Sequence, residues 1–305
     1  MKERIIFITG PTAAGKTEVA AELAKKLKTE IISCDSMQVY RGMDIISCKP
    51  GAALRKKIRH HLLGAVSPEE EYDVFRFRRE ALKKISALLK KGKTPLLAGG
   101  TGLYISALID GIFDLSKQDN NLRRRLYKEI KRRGSIFLHR RLEKVDPQAA
   151  KKIHPHDARR IVRALEVFFL AGRPISEMQR ERQGLAADYA LRIFCLDLKR
   201  SELYRRIDTR VDKMFAQCLV GEVRSLLKKK LSKTSSSAIG IKEIKGHFDG
   251  LYDLEEAGRL IKRNTRRYAK RQMSWFRRDK RIIWIKISQR DSPRKIAAKI
   301  WKKSF

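Results

Sequence analysis

A glycine-rich segment near the start of the chain limits the possible folds more than any other part of the sequence. It reads Gly10-Pro11-Thr12-Ala13-Ala14-Gly15-Lys16-Thr17 and fits the pattern G-x-x-x-x-G-K-[ST]. A β-branched run, Arg4 to Thr9, precedes it, and residues 18–28 follow with apolar side chains at helical spacing. In such a loop the backbone amides surround phosphate oxygens, Lys16 adds a positive charge, and the Thr17 hydroxyl can hold Mg²⁺. The predicted ligand is a chain of phosphates, which need not be ATP.

Strand-like and helical segments alternate along much of the chain. Between two strand-like runs, residues 75–91 show helical spacing that ends at Gly92, a common C-terminal signal. The predicted strands are residues 4–9, 30–33, 95–98, 191–196 and 282–285. This alternation predicts an α/β fold, a P-loop-type parallel sheet flanked by helices.

Residues 114–189 interrupt the alternation with a helical, basic pattern. We therefore predict a helical insertion domain over 114–189, and a catalytic core with basic C-terminal helices formed by residues 1–113 and 190–305. The serine-rich stretch Ser232 to Ser237 is predicted to be a loop.

The chain is strongly basic, and its charge is unevenly distributed. It carries 71 Lys and Arg against 34 Asp and Glu, a formal charge of +37, while 42% hydrophobic residues indicate a folded protein rather than a disordered polycation. The excess lies mainly in residues 121–173 and 261–305. A surface of this kind attracts polyanions, of which nucleic acid is the commonest.

Paired cations near the C-terminus recur every three to four residues and predict a basic stripe along one helix. Tyr268, Trp275 and Phe276 are interleaved with them, a combination that favours nucleic-acid phosphates over a merely solvated helix face. The pairs are Lys262-Arg263, Arg266-Arg267 and Lys270-Arg271.

Membrane and disulfide features are absent from the sequence pattern. No apolar run approaches the ~20 residues needed to span a bilayer, and the N-terminus lacks a signal-peptide layout. We expect a cytoplasmic protein without membrane association. Its four cysteines are predicted to be reduced thiols, because their spacing suggests neither a disulfide scaffold nor a zinc site. The pair His60-His61 is predicted to be structural for the same reason.

Acidic residues at strand ends are the next candidates for chemistry. Phosphoryl transfer normally needs a carboxylate there to organise magnesium. Gly99-Gly100-Thr101 supplies none, and Asp197 is more often a turn or cap residue, which weakens a kinase interpretation. Asp35 ends the strand 30–33, where open α/β sheets bind ligands. From position alone, a catalytic role and a turn or helix-cap role for Asp35 are equally weighted.

The glycine-rich segment and Ile31-Ile32-Ser33-Cys34-Asp35-Ser36-Met37-Gln38-Val39-Tyr40 together resemble the tRNA dimethylallyltransferases, also called tRNA isopentenyltransferases. The resemblance continues in order through Gly99-Gly100-Thr101-Gly102-Leu103-Tyr104, the segment Arg159 to Val167, and Thr265 to Arg277, and covers nearly the whole chain. It implies transfer of a dimethylallyl group from its diphosphate to N6 of adenosine 37, beside the tRNA anticodon.

The resemblance also implies roles for individual residues. Asp35 is the general base, Thr101 hydrogen-bonds near the same adenine, and Lys16 stabilises the leaving diphosphate with the loop amides. Arg210 resembles the diphosphate-contacting arginine of the family, although a helix-surface salt bridge to Asp208 or Asp212 is an alternative. Mg²⁺ on Thr17 is the implied cofactor.

A wider set of residues is predicted to contact the tRNA anticodon stem-loop. Ile161 and Val162 are apolar, so some positions of this set are alternatively core residues. The set comprises Asp35, Ser36, Met37, Gln38, Thr101, Arg123, Arg159, Arg160, Ile161, Val162, Arg163, Arg267, Lys270 and Arg271.

Four residues depart from the family pattern without touching the predicted base or phosphate loop. Phe75, His156, Cys218 and Ile241 stand where the family usually has a small residue, Asn, Gly and Tyr, respectively. We predict a monomeric enzyme whose partners are tRNA and dimethylallyl diphosphate. Two alternatives stay open: a P-loop kinase or prenyltransferase that acts on free adenine nucleotides, and a nucleic-acid-binding NTPase in which Asp35 is structural.

Overall fold

The computed structural model describes residues 2–113 and 119–305, which form two compact units. The first unit consists of Met1–Ile109 and Leu185–Phe305, and the second of Asp110–Gly184. Residue 114, where the sequence places the start of the insertion, lies outside the described residues.

A six-stranded sheet organises the first unit. Every neighbouring pair of strands is parallel, and the strand order is β3-β2-β4-β1-β5-β6. The strands are β1 Arg4–Thr9, β2 Ile31–Ser33, β3 His60–His61, β4 Leu96–Ala98, β5 Ala190–Asp197 and β6 Ile282–Lys286. The predicted P-loop-type parallel sheet flanked by helices is therefore confirmed.

Fourteen α-helices occur in the described residues, five of them in the second unit. They are α1 Lys16–Leu27, α2 Ala52–Lys57, α3 Val74–Leu89, α4 Gly102–Ile109, α5 Asn120–Arg133, α6 Ser135–Val145, α7 Pro147–Lys152, α8 Ala158–Ala171, α9 Ile175–Arg180, α10 Arg200–Ala216, α11 Leu219–Leu227, α12 Ile241–Phe248, α13 Leu254–Phe276 and α14 Pro293–Ser304. Among the described residues, every helix is too short or too polar to span a bilayer.

Side-chain alternation along β1 divides the core between the two faces of the sheet. Ile5 and Phe7 belong to one buried cluster, and Ile6 and Ile8 to the other. Successive side chains of a strand point to opposite faces, so a parallel sheet covered on both sides needs such a continuous apolar run. The same alternation places Cys195 of β5 in the first cluster.

The second unit has its own apolar core. Leu138, Leu142, Ile161 and Leu165, from α6 and α8, are fully buried in it. Carboxylates cap several of its helices, such as Asp157, whose side chain accepts a hydrogen bond from the Arg160 amide at the start of α8.

Two local predictions need correction. Ser232 to Ser237 is not simply a loop, because Ser235–Ser237 form a 3₁₀ turn whose first hydroxyl, on Ser235, is buried and donates to the Pro68 carbonyl. The two-residue edge strand β3 was not predicted at all. Its His61 pairs with Glu30 across 2.7 Å.

One departure from the family pattern has a conformational cost. Cys218 precedes α11 with φ 71°, in the left-handed region that disfavours side chains. Glycine adopts this conformation freely, which gives a physical reason for the glycine that is usual at this position in the family that the sequence resembles.

Candidate active site

The carboxyl ends of three adjacent strands bring the predicted catalytic residues together. The Gly10–Thr17 loop follows β1, Asp35 follows β2, and Thr101 follows β4. Because β4 lies between β1 and β2, these segments converge on one edge of the sheet.

The Gly10–Thr17 loop has the backbone that its glycines predict. Gly10 has φ 141°, and a Cβ there would lie 3.1 Å from the Leu196 carbonyl oxygen. Gly15 has φ 83°, and α1 begins immediately after it. The loop is closed by the Lys16 Nζ, which donates to the Pro11 carbonyl across 2.7 Å. A helix N-terminus and a partly buried cation thus face the same space, an arrangement suited to a phosphate anion.

The charge of Lys16 is sensitive to pH. Burial lowers the pKa of Lys16 to about 8, the negative charge of Asp35 opposes this, and the positive charge of Arg210 lowers it further. Lys16 therefore carries its full charge only below that pH. An arriving anion would restore the proton.

Arg210 lies at the glycine-rich loop and not in a surface salt bridge. Its Nη1 donates to the Thr12 hydroxyl across 3.0 Å, and its Nε lies 2.7 Å from the Cys48 sulfur. Asp208 and Asp212 pair instead with two cations of α13, Arg266 and Lys262. The salt-bridge alternative is therefore wrong for this chain, and the contact with diphosphate stays a prediction.

Asp35 combines a turn-forming contact with a free face. Its Oδ1 accepts hydrogen bonds from the amides of Met37 and Gln38, at 2.9 and 3.2 Å. Within the described part of the chain, both hydrogen bonds to this side chain are accepted by Oδ1, so Oδ2 is available to a substrate. The turn-forming role is thus real, and it fixes the carboxylate in place; the catalytic role stays a prediction.

Thr101 is held against the Asp35 segment. Its hydroxyl accepts from the Ser36 amide at 3.1 Å, and its own amide donates to the Cys34 carbonyl. The approach is so close that a Cβ on Gly99 would lie 2.2 Å from that carbonyl oxygen. Asp35 and Thr101 therefore form one rigid wall of the site.

Ser36, Met37 and Gln38 continue this wall. Ser36 contacts Thr101, Met37 packs partly against the core, and Gln38 uses its side-chain amide to donate to the carbonyls of Ser47 and Cys48. All three are partly exposed, so their predicted tRNA contacts are sterically possible.

Two site residues on α13 were not assigned from the sequence. Gln272 is buried and bonds both the Gly10–Thr17 loop and Gly100. Tyr268 lies beside Asp35 and Thr101: burial and the Asp35 charge raise the pKa of Tyr268, and hydrogen bonds with Thr101 and Gln272 oppose this. The signals in the sequence were the place of both residues in the resembling segment from Thr265 to Arg277 and the position of Tyr268 among the paired cations.

The opposite face of α13 carries only part of the predicted basic stripe, because Lys262 and Arg266 are half-buried and pair with acidic residues of α10. Arg267, Lys270 and Arg271 are exposed, whereas Ala269 and Met273 are buried. One helix thus presents cations to solvent and site residues to the interior, which the 3.6-residue period requires.

In the second unit, Arg123 and Arg163 converge on a buried carboxylate. The Glu166 side chain is 0% exposed, and its oxygens lie 2.8 Å from Arg123 Nε and 2.8 Å from Arg163 Nη1. Both guanidinium groups are partly exposed. Glu166, which the sequence analysis did not single out, therefore fixes two of the predicted tRNA-binding arginines.

The other predicted RNA contacts on α8 divide by burial. Arg159 and Arg160 are exposed and available to a phosphate backbone. Ile161 and Val162 are 0% and 2% exposed, inside the core of the unit. Their assignment to the RNA surface is corrected, because their side chains pack between helices and offer no surface to a ligand.

The protein groups around Thr17 fit a magnesium ion only in company with a substrate. Among residues 2–113 and 119–305, no cluster of three or more His, Cys, Asp or Glu side chains could hold a metal. Thr17, in the first turn of α1, would supply one hydroxyl ligand, and Mg²⁺ characteristically takes its other ligands from phosphate oxygens and water.

Comparison with known proteins identifies the family. The model of the IPP transferase family matches residues 38–279, and that of isopentenyl transferases matches residues 3–72. The chain belongs to the IPP transferase family. It is 46% identical to the tRNA dimethylallyltransferase of Pelotomaculum thermopropionicum over 94% of this chain and 91% of that relative, and 43% identical to that of Thermotoga maritima over 94% of both.

Solved structures of the family resemble this chain closely. A tRNA isopentenylpyrophosphate transferase from Bacillus halodurans superimposes with a TM-score of 0.72 at 39% identity, over 99% of this chain and 98% of that one. A eukaryotic dimethylallyltransferase acting on tRNA gives 0.79 at 30% identity, over 94% of this chain and 74% of that one. The chain is thus a prenyltransferase, and these matches support neither the kinase nor the NTPase alternative.

Proposed function

We propose that this enzyme transfers a dimethylallyl group from dimethylallyl diphosphate to N6 of adenosine 37 in the anticodon stem-loop of tRNA. The products are N6-dimethylallyladenosine and diphosphate. The observation that carries this proposal is the arrangement of Lys16 and Arg210 at the Gly10–Thr17 loop, with the wall of Asp35 and Thr101 at the same edge of the sheet. The loop with its two cations suits an anionic leaving group. The wall suits a nucleobase that carries an exchangeable proton.

The reaction exchanges an allylic C–O bond for a C–N bond and moves one proton. The allylic C1–O bond breaks, and its electron pair leaves with the diphosphate, where Lys16, the loop amides and Arg210 would stabilise the growing charge. The N6 nitrogen forms the new bond to C1, and its proton passes to Asp35. Magnesium held by Thr17 would supply further charge neutralisation of the diphosphate.

The acceptor base must leave the anticodon loop to reach this site. Flipping a base costs a few kcal/mol, and contacts with the flanking phosphates offset that cost. Exposed Arg267, Lys270 and Arg271 on α13, together with Arg159 and Arg160, are the proposed phosphate contacts. We propose that a single copy of the chain carries out the reaction.

The direct test is product analysis by mass spectrometry. Purified enzyme, Mg²⁺ and dimethylallyl diphosphate are incubated either with unmodified tRNA that carries adenosine 37 or with AMP. We expect a dimethylallyl mass gain on the tRNA only, and its loss when adenosine 37 is replaced by guanosine. A mass gain confined to AMP would overturn the proposal.

Diphosphate affinity should fall as pH rises through the pKa of Lys16. Because only the protonated amine attracts the anion, and its pKa is about 8, raising the pH from 7 to 9 should weaken binding of inorganic diphosphate by about tenfold more in wild type than in Lys16→Arg. Calorimetric titration measures the diphosphate affinity of both proteins at each pH. The ligand's own ionisation affects both proteins equally and cancels in the comparison. Parallel pH profiles would contradict the assignment.

The basic stripe should make tRNA binding depend steeply on salt. The triple variant Arg267→Gln, Lys270→Gln, Arg271→Gln should reduce the slope of log K against log salt by about two to three, because each phosphate contact contributes about 0.7–0.9. Filter-binding measurements between about 50 and 300 mM salt, where such effects are large, would measure the slope. Neutralising the three exposed cations of α2, Arg55, Lys56 and Lys57, gives a control with the same charge change. Equal slope changes in both triple variants would contradict a specific role for α13.

A further inference from the structure

One side-chain amide joins the two loops that face each other across the candidate site. Gln272 Oε1 accepts from the Thr12 amide at 2.9 Å, and its Nε2 donates to the Gly100 carbonyl at 2.9 Å. Its partners are separated from it by 260 and 172 positions in sequence. The residue is 6% exposed, so the hydrogen bond to Gly100 is shielded from water and the one from Thr12 is partly shielded.

The chemistry of the two partners specifies an amide. Thr12 offers an N–H and Gly100 offers a carbonyl oxygen, so the bridging side chain must accept at one end and donate at the other. Glutamine does both in one orientation. A carboxylate could accept from Thr12 but would place a second acceptor against the Gly100 carbonyl, and an apolar side chain of similar length would leave both groups unpaired.

Two glycines allow α13 to approach this closely. A Cβ on Gly100 would lie 2.3 Å from Gln272 Nε2, and a Cβ on Gly102 would lie 2.4 Å from Trp275 Cδ1. Helix α13 therefore packs in direct contact with the segment Gly100–Gly102, which contains Thr101. The loop and this segment cannot separate without breaking the Gln272 contacts.

We propose that Gln272 is a positioning residue for the transfer reaction. It connects the Gly10–Thr17 loop to the wall formed by Asp35 and Thr101. The C1 carbon and the attacking N6 nitrogen are thereby held at a constant separation. The inference rests on the proposed function, since it assigns the leaving group to the Thr12 side and the adenine to the Thr101 side. A misplacement of about 1 Å between reacting groups can cost about 100-fold in rate.

The same helix presents Arg267, Lys270 and Arg271 to solvent. Binding of an RNA phosphate backbone to that face would therefore restrain the element that carries Gln272. A single rigid helix thus carries both the positioning residue and the proposed RNA-binding cations.

The test compares Gln272→Met and Gln272→Glu with Met273→Ala. Each Gln272 variant removes at least one of the two hydrogen bonds, whereas Met273→Ala trims a buried side chain on the same helix and leaves both loop contacts intact. We expect kcat at saturating tRNA and dimethylallyl diphosphate to fall about 10- to 100-fold in both Gln272 variants. The tRNA dissociation constant should stay within about twofold of wild type, because the basic face is unchanged.

The control separates positioning from loss of stability. Thermal denaturation of all variants ranks their stabilities. Met273→Ala should keep a near wild-type kcat even if its melting temperature falls as far as that of Gln272→Met. A kcat within twofold of wild type in Gln272→Met, or an equal loss of kcat in Met273→Ala, would overturn the inference.

A double-mutant cycle adds a second readout. Gly100→Ala introduces the clash with Nε2 and should lower kcat alone, while adding Gln272→Met should cost much less than it does in the wild-type background, because both changes disrupt one contact. Full additivity would contradict the inference. Failure of the proposed function itself has a different signature, since the wild-type enzyme would then form no product on tRNA.

Discussion

Replacing Asp35 with asparagine is expected to lower kcat for tRNA prenylation by about 10²–10⁴-fold, the usual contribution of a general base. Asparagine keeps an oxygen that can accept from the Met37 and Gln38 amides, so the turn after β2 should survive the change. What disappears is the ability to take the N6 proton. Single-turnover kinetics with saturating substrates measure this directly.

The control for this variant is Asp73→Asn. Asp73 also accepts a backbone hydrogen bond, from the Arg76 amide at the start of α3, and it is not part of the candidate active site. Its substitution should leave kcat unchanged, and the tRNA dissociation constant should be the same for wild type and both variants. A near wild-type rate for Asp35→Asn would mean that another group removes the proton.

Replacing Glu166 with alanine is expected to destabilise the second unit by about 3–5 kcal/mol, the usual cost of removing one partner from a buried ion pair. The side chain is 0% exposed, and its loss would remove the carboxylate that pairs with the partly buried guanidinium groups of Arg123 and Arg163. A cavity would remain where the carboxylate was. Hydrogen exchange of the α5 and α8 amides, combined with urea denaturation, reports the loss locally.

The same variant should weaken tRNA binding and leave binding of inorganic diphosphate unchanged. The two arginines are predicted tRNA contacts, whereas the Gly10–Thr17 loop, the proposed diphosphate site, belongs to the first unit. Glu177→Ala is the matched control, because Glu177 forms an exposed pair with Arg173 on the same unit, and surface pairs contribute little. If Glu166→Ala exchanged amides as slowly as wild type, the buried cluster would not be the support that we describe.

The parts of the fold predicted from sequence are those with a strong local signal. An apolar run followed by a glycine-rich loop specifies β1, the loop and α1 within about 25 residues, because turn and helix formation there are local. The edge strand His60–His61 could not be predicted, since two residues show no periodicity and pair only through the neighbouring β2.

The residues of the candidate site likewise divide into those with a local sequence signal and those without one. Asp35 and Thr101 follow strands, so their positions could be inferred from the strands alone. Gln272 could not be assigned, because its partners lie far away in sequence and nothing local marks a buried glutamine as a bridge. Ile161 and Val162 were misassigned by resemblance, although the apolar spacing of α8 already favours the core.

The interleaving of the two units has a consequence for how the chain folds as it leaves the ribosome. Residues 110–184 are contiguous and make local contacts, so the second unit can form while the sheet is still incomplete. Strand β1 pairs with both β4 and β5, and β5 begins at Ala190, so β1 remains an open edge until the second unit has been synthesised. Helix α13 emerges later still. A nascent chain therefore carries the Gly10–Thr17 loop and Gly100 long before Gln272 is synthesised and joins them, so the active site is completed only after α13 has been made.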